Sequence, residues 1–135
     1  MQSAIGPFNF ASTFLRLRPN VSIEPLPVND AFWQKVAAGQ LGSFHNEYLV
    51  ITHAFDADWP MWEIHPKGDE IVCLLSGTAV FVLETDEGPK SFELSKFGDY
   101  VIVPQNTWHT AKASGPCRML FITAGEGTQH RGVAE

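Results

Sequence analysis

The chain has 135 residues, 44% apolar and 18% charged, with a formal net charge of −6 and nine Lys/Arg scattered without a cluster. That is one globular domain, large enough to build its own core. It lacks the basic patch that nucleic acid or an anionic membrane would need, and any run near the ~18–20 apolar residues that span a bilayer.

In chain order, residues 1–12 read as loosely ordered, broken at Gly6-Pro7. Thr13–Arg18 alternates, with Leu15 and Leu17 on one face and Arg16 and Arg18 on the other, as an edge strand with one wet face would. Val21–Leu26 reads as a second short strand ended by Pro25 and Pro27. Asp30–Ala38 is the one good helix candidate, capped by Asn29 or Asp30 and stopped by Gly39.

From Glu47 onward the period is two. Strands are expected at Glu47–Phe55, Trp59–His65, Glu70–Ser76, Thr78–Glu84, Lys90–Leu94, Tyr100–Val103, Thr107–Ala113 and Cys117–Thr123. Pro66–Asp69 reads as a tight turn in which Gly68 is free to take positive φ. Short strands at regular spacing mean a sandwich or barrel. EIVCLL and AVFVL are apolar on both faces, so one face lines the interior and the other meets the helix, the N-terminal strands or a second subunit. Gly125–Glu135 reads as a polar, mobile tail. The plan is one domain, with N-terminal strands and helix over residues 1–45, a barrel over 46–124 and the tail over 125–135.

Cys73 and Cys117 sit in apolar runs and read as buried free thiols. The N-terminus lacks the basic and continuous apolar regions of a signal peptide, so a cytoplasmic protein is expected.

The chemistry concentrates in Trp62–Gly77, WEIHPKGDEIVCLLSG, and Gly98–His109, GDYVIVPQNTWH. Glu63 and His65 are two apart in a strand and share a face. A hairpin at Pro66–Asp69 would set Glu70 nearly opposite His65, and a barrel could close His109 onto the same point. No nucleophile with an adjacent base and no Gly-rich phosphate loop is present. His53, Met61, Tyr100, Ile102, Met119 and Phe121 are candidates for a cavity wall, although the inward parity of each strand stays open. Trp62 and Trp108 should point away from their neighbouring ligands, and His45 and His130 should be solvated.

These two stretches resemble the two motifs of a single-domain cupin. The first family motif is His-x-His, three or four residues, Glu, six residues and Gly. Here Glu63 stands at the first His, and His65, Glu70 and Gly77 match the rest. In the second, Gly98, Pro104 and His109 match, Asn106 replaces a Gly and Ala113 replaces an Asn. Twenty residues separate the motifs, and the likeness covers roughly residues 46–124. It implies an all-β fold, an antiparallel jelly-roll barrel with one short N-terminal helix. It also implies a metal held by Glu63, His65, Glu70 and His109, and a homodimer.

Two histidines and two carboxylates around a divalent ion make a neutral site, which should favour hard ions such as Mn²⁺ or Fe²⁺, with Ni²⁺ and Zn²⁺ as alternatives. Alternatively, His65, His109 and one glutamate form a three-ligand face, with Glu63 free as a general base. In a third arrangement no metal is bound, and Glu63 pairs with Lys67 or His65 in a buried polar network. The function expected is a metal-binding cupin acting on a small molecule, dioxygenase- or isomerase-like. The alternative is a non-catalytic cupin that binds or senses a small molecule or a metal.

Overall fold

Period-two patterning dominates the chain. The computed structural model, which describes residues 5–133, turns it into eleven strands and one helix among the described residues. In order these are β1 (Thr13–Leu17), β2 (Ile23–Pro27), α1 (Phe32–Ala37), β3 (Tyr48–Phe55), β4 (Met61–Ile64), β5 (Glu70–Ser76), β6 (Ala79–Thr85), β7 (Gly88–Leu94), β8 (Tyr100–Val103), β9 (His109–Lys112), β10 (Cys117–Thr123) and β11 (Gln129–Gly132). A six-stranded antiparallel sheet runs β2-β1-β3-β10-β5-β8, and a five-stranded one runs β11-β4-β9-β6-β7. Together they make the jelly roll expected of the motifs. No helix among the described residues is long and apolar enough to cross a membrane.

The main core lies between the sheets. Val72 and Leu74 of β5, Met119 and Phe121 of β10, and Phe81 and Leu83 of β6 are buried together. Trp59 meets Phe81 edge-on at 5.6 Å and Phe121 at 6.0 Å. Each such side chain contributes about 1.5–3 kcal/mol by leaving water. A second cluster, Phe14, Leu26, Phe32, Phe44 and Leu49, holds α1 to the N-terminal strands.

Several expectations are corrected. β1 is not an edge strand, because β2 and β3 flank it. Its Arg16 face is the buried one: Arg16 lies over the Phe44 ring at 4.5 Å and pairs with Glu24 and Glu47. Alternation separates two faces but does not say which one another layer will cover. The helix starts later than expected, and Asn29 instead closes a turn by accepting from the Ala31 N–H at 2.9 Å. The tail expected to be mobile contains β11, which pairs with β4 from Gln129–Ile64 to Gly132–Met61.

Gly68 is not in the positive-φ region. Its value is space, since a Cβ there would lie 2.7 Å from the Ala124 Cβ. Gly77 has the stricter requirement. Its φ is +77°, and a Cβ would stand 2.3 Å from the Pro116 carbonyl oxygen. Gly77→Ala combines a left-handed backbone cost with overpacking against backbone, so it should lose about 2–3 kcal/mol in urea denaturation. Wild-type stability in that variant would refute the reading. Asn106, standing where the motif has glycine, has φ 62°. Asparagine is among the few residues that tolerate this conformation, so the departure from the motif preserves the turn.

Candidate metal centre

Four side chains converge between the two sheets. Glu63 comes from β4, and His109 sits directly opposite it on β9. His65 follows immediately after β4, and Glu70 opens β5. Because β4 and β5 belong to different sheets, the expected hairpin does not exist. Pro66–Asp69 instead carries the chain from one sheet to the other, so Glu70 faces His65 across the interior. The turn bearing Asn106 is tied to the same place by its N–H donating to the His65 carbonyl at 3.0 Å.

His65 Nε2 lies 3.0 Å from Glu63 Oε1 and 3.3 Å from Glu70 Oε2. His109 Nε2 lies 3.1 Å from Glu70 Oε1 and 3.6 Å from Glu63 Oε1. One donor atom from each residue lies within 4.8 Å of the others. His65, Glu70 and His109 are buried, while the Glu63 side chain is 20% exposed and forms the outer wall.

Outer contacts set the direction of three of the four side chains. The Thr128 hydroxyl donates to the Gly125 carbonyl at 2.9 Å, so it accepts from His65 Nδ1–H at 2.8 Å. His109 Nδ1–H donates to the Thr107 carbonyl at 3.1 Å. Both rings therefore turn Nε2 inward, the tautomer that metal-binding histidines adopt. The Thr123 hydroxyl donates to Glu70 Oε2 at 2.6 Å, which leaves Oε1 facing in. His65 Nε2, His109 Nε2 and Glu70 Oε1 are buried without a well-formed hydrogen bond. Three convergent, under-satisfied buried atoms are costly on their own, and this donor set fits a divalent cation.

The electrostatics agree. Burial alone would lower the imidazoles, but the negative charge of the nearby Glu63 and Glu70 carboxylates outweighs it, pushing His65 up to about 9 and His109 up to about 10. Burial would raise the carboxylates, yet the two imidazoles hold Glu63 and Glu70 well below the usual range. Two imidazoliums and two carboxylates sum to zero charge. So do two neutral imidazoles, two carboxylates and a divalent ion. A divalent ion bound here would take the place of two protons without changing the charge of the site.

Of the proposed cavity wall, Met119 and Phe121 face inward in the main core, and Met61 shares the Glu63 face of β4. Tyr100 and Ile102 do not line the interior. They are 62% and 56% exposed, because they pair with Cys73 and Ile71 on the outer face, while Val101 and Val103 face in. His53 pairs with Met119 but is exposed, stacked on Phe55 at 5.7 Å, and stands outside the cluster. Glu63 pairs with His65, His109 and His130 and not with Lys67. Trp62 and Trp108 point away from the ligands, and the Arg131 guanidinium lies over both, at 5.5 and 4.6 Å.

The sequence reading missed three residues at the centre. Thr123 was within reach of it, since β10 parity puts Thr123 on the face of Met119 and Phe121. Thr128 and His130 carried no such signal, because QHRG shows no apolar alternation. His130 is exposed as expected, its side chain 46% accessible, and its Nε2 lies 2.9 Å from Glu63 Oε2.

A family model described as cupin domain (Cupin_2) matches residues 56–123. No curated protein matches. Among solved structures the chain is similar to a cupin-2 domain protein from Shewanella frigidimarina, with 19% identity and TM-score 0.48 over 56% of this chain and 68% of that one. It is also similar to the Bacillus subtilis oxalate decarboxylase, an enzyme with Mn(II) centers, with 19% identity and TM-score 0.50. That match covers 64% of this chain but only 23% of the decarboxylase, and at such identity the likeness is one of fold.

Proposed function

The chain belongs to the cupin family, and on that premise we propose that it binds a single divalent metal ion through Glu63, His65, Glu70 and His109 and acts on a small molecule there. The observation carrying this reading is the convergence of His65 Nε2, His109 Nε2 and Glu70 Oε1, buried and under-satisfied, with the opposite side of each group already held. The neutral donor set suits hard ions, Mn²⁺ or Fe²⁺ ahead of Ni²⁺ or Zn²⁺. A bound ion would hold and polarise oxygen atoms of a ligand. Glu63 is the one member of the four whose side chain is partly exposed, so it is the carboxylate an incoming ligand meets. Trp59, Phe81 and Phe121 fill the interior, so the ligand is small and enters past Glu63. The chemistry in this reading is that of an oxygenase or isomerase.

Metal analysis of protein purified without added metal, then reconstituted with Mn²⁺, Fe²⁺, Ni²⁺ or Zn²⁺, should give one ion per chain. No ion under any of these conditions would sink the proposal. Oxygen uptake and product analysis with catechols, diketones, sugars and small dicarboxylates then separates oxygenase from isomerase. A metal-loaded protein that turns over none of them would point to the binding-module alternative.

The reading includes a homodimer and a cytoplasmic location. The outer face of the six-stranded sheet carries apolar rows, Ile102-Ile71-Ile122 and Tyr100-Cys73-Leu120, that a second copy would cover. Sedimentation should give two chains per particle, and Ile102→Glu should give one. A wild-type monomer at all concentrations would refute the dimer. The free thiols Cys73 and Cys117 suit a reducing compartment. Fractionation of the source cells tests the location, and recovery outside the cytoplasm would overturn it.

A further inference from the structure

β11 brings a third imidazole to the edge of the metal centre. Its register with β4 sets His130 directly opposite Glu63. Residues paired in this way send their side chains to the same face. His130 Nε2 lies 2.9 Å from Glu63 Oε2, while the other carboxylate oxygen, Oε1, lies 3.0 Å from His65 Nε2. One oxygen is held from outside and the other is aimed inward.

The rest of the site shows what this contact completes. His65 is held by Thr128, His109 by the Thr107 carbonyl and Glu70 by Thr123. Glu63 is the most exposed of the four, so its carboxylate has the most freedom to turn away. His130, itself 46% exposed, is the outer partner of Glu63 Oε2, while Oε1 faces His65 and His109. The strand bearing His130 is anchored on both sides. Thr128 joins it to His65, and Arg131 lies over Trp62 and Trp108 and pairs with Glu84.

We infer that His130 is a positioning residue for the metal centre: its Nε2–H donates to Glu63 Oε2 and fixes the carboxylate so that Oε1 joins His65, Glu70 and His109. The inference rests on the metal reading above. It adds to the two family motifs a residue that lies beyond both, on the last strand. It also explains how a glutamate can serve where the motif has histidine, since a carboxylate with two equivalent oxygens needs an outer donor to select one.

The test is Mn²⁺ affinity, from the electron paramagnetic resonance signal of free Mn²⁺, together with the rate of ion loss to EDTA. Losing an outer partner of a metal ligand typically weakens binding 10–100-fold, and His130→Ala should fall in that range. His130→Gln, whose side-chain amide offers an N–H at similar reach, should stay within a few-fold of wild type. Gln129→Ala, on the same strand and the opposite face, should change nothing. Wild-type affinity in His130→Ala would overturn the inference. So would a His130→Gln as weak as His130→Ala, since the imidazole itself would then be required, or a Gln129→Ala as weak, since the strand alone would be responsible. If the wild type binds no metal, the metal reading falls and takes this inference with it. If the wild type binds and His130→Ala matches it, only this inference falls.

Discussion

His109→Ala is expected to yield a folded protein whose metal affinity has dropped by more than about 100-fold, beyond the range seen when only an outer partner is lost. His109 is fully buried, and its Nε2 has no well-formed hydrogen bond. Its Nδ1–H is committed to the Thr107 carbonyl, so the ring cannot turn to another task without breaking that bond. It is also the group that links the two sheets at the centre, opposite Glu63 on β9 and 3.1 Å from Glu70 Oε1 on β5. Removing it takes away one of two nitrogen donors and leaves two carboxylates with a single imidazole between them. Metal analysis and competition with a chelator, with circular dichroism to confirm folding, measure the effect. His109→Gln serves as a second variant that keeps most of the volume and should also lose the ion. Retention of metal at wild-type affinity in both would remove His109 from the site.

Glu70→Gln, measured in the presence of a chelator, should destabilise the protein by roughly 3–5 kcal/mol near pH 6, the usual cost of removing one partner from a buried charge pair. Glu70 is 2% exposed and faces both His65 and His109. The size of the effect should depend on pH in a defined direction. The imidazoles have folded values of about 9 and 10, above their ordinary 6.5, so their contribution is complete below 6.5 and fades as pH rises through those folded values. The carboxylates are held below their ordinary 4.5, so their contribution is present above 4.5 and fades as pH falls through the lowered values. The metal-free network is therefore at its strongest between pH 4.5 and 6.5, and the deficit of Glu70→Gln should shrink toward pH 9.

Metal should show the opposite trend, because a bound divalent ion would displace two protons. At a free concentration of about 100 times Kd, it adds about 2.7 kcal/mol, and the Kd itself should tighten as pH rises from 6. Urea melts of both proteins from pH 5 to 9, with and without Mn²⁺, test both statements. A Glu70→Gln deficit that is flat with pH, or absent at pH 6, would show that the pair is not charged as described.

Much of the fold follows from local pattern. β5, β8 and β10 begin and end where the sequence places them, because period-two runs bounded by Gly, Pro and Asp leave little choice. Glu63 and His65 share a face for the same reason, and Gly77 marks a left-handed turn against backbone. Pattern fails where partners decide. The alternation in β1 is real, but its Arg16 face is covered by Phe44 and its neighbours, where local sequence suggests solvent. Tyr100 and Ile102 alternate correctly with Val101 and Val103, yet the apolar character of both faces hides which one points in. The tail residues 129–132 are polar, and only the open edge of β4 makes them a strand.

By itself, the sequence determined the residue types and spacings of the four-residue set and the two-fold period that gives each strand its two faces. These are properties of consecutive residues, set by backbone geometry over a few ångströms. The tertiary structure alone decided that β4 and β5 belong to opposite sheets, so that Glu63 and His65 meet Glu70 across the interior and not within a hairpin. It alone brought Thr123, Thr128 and His130 behind the ligands. The physical reason is that strand order and register are set by burying apolar faces from the whole chain at once. A side chain's partner across a sheet or between sheets is therefore not encoded in its own neighbourhood.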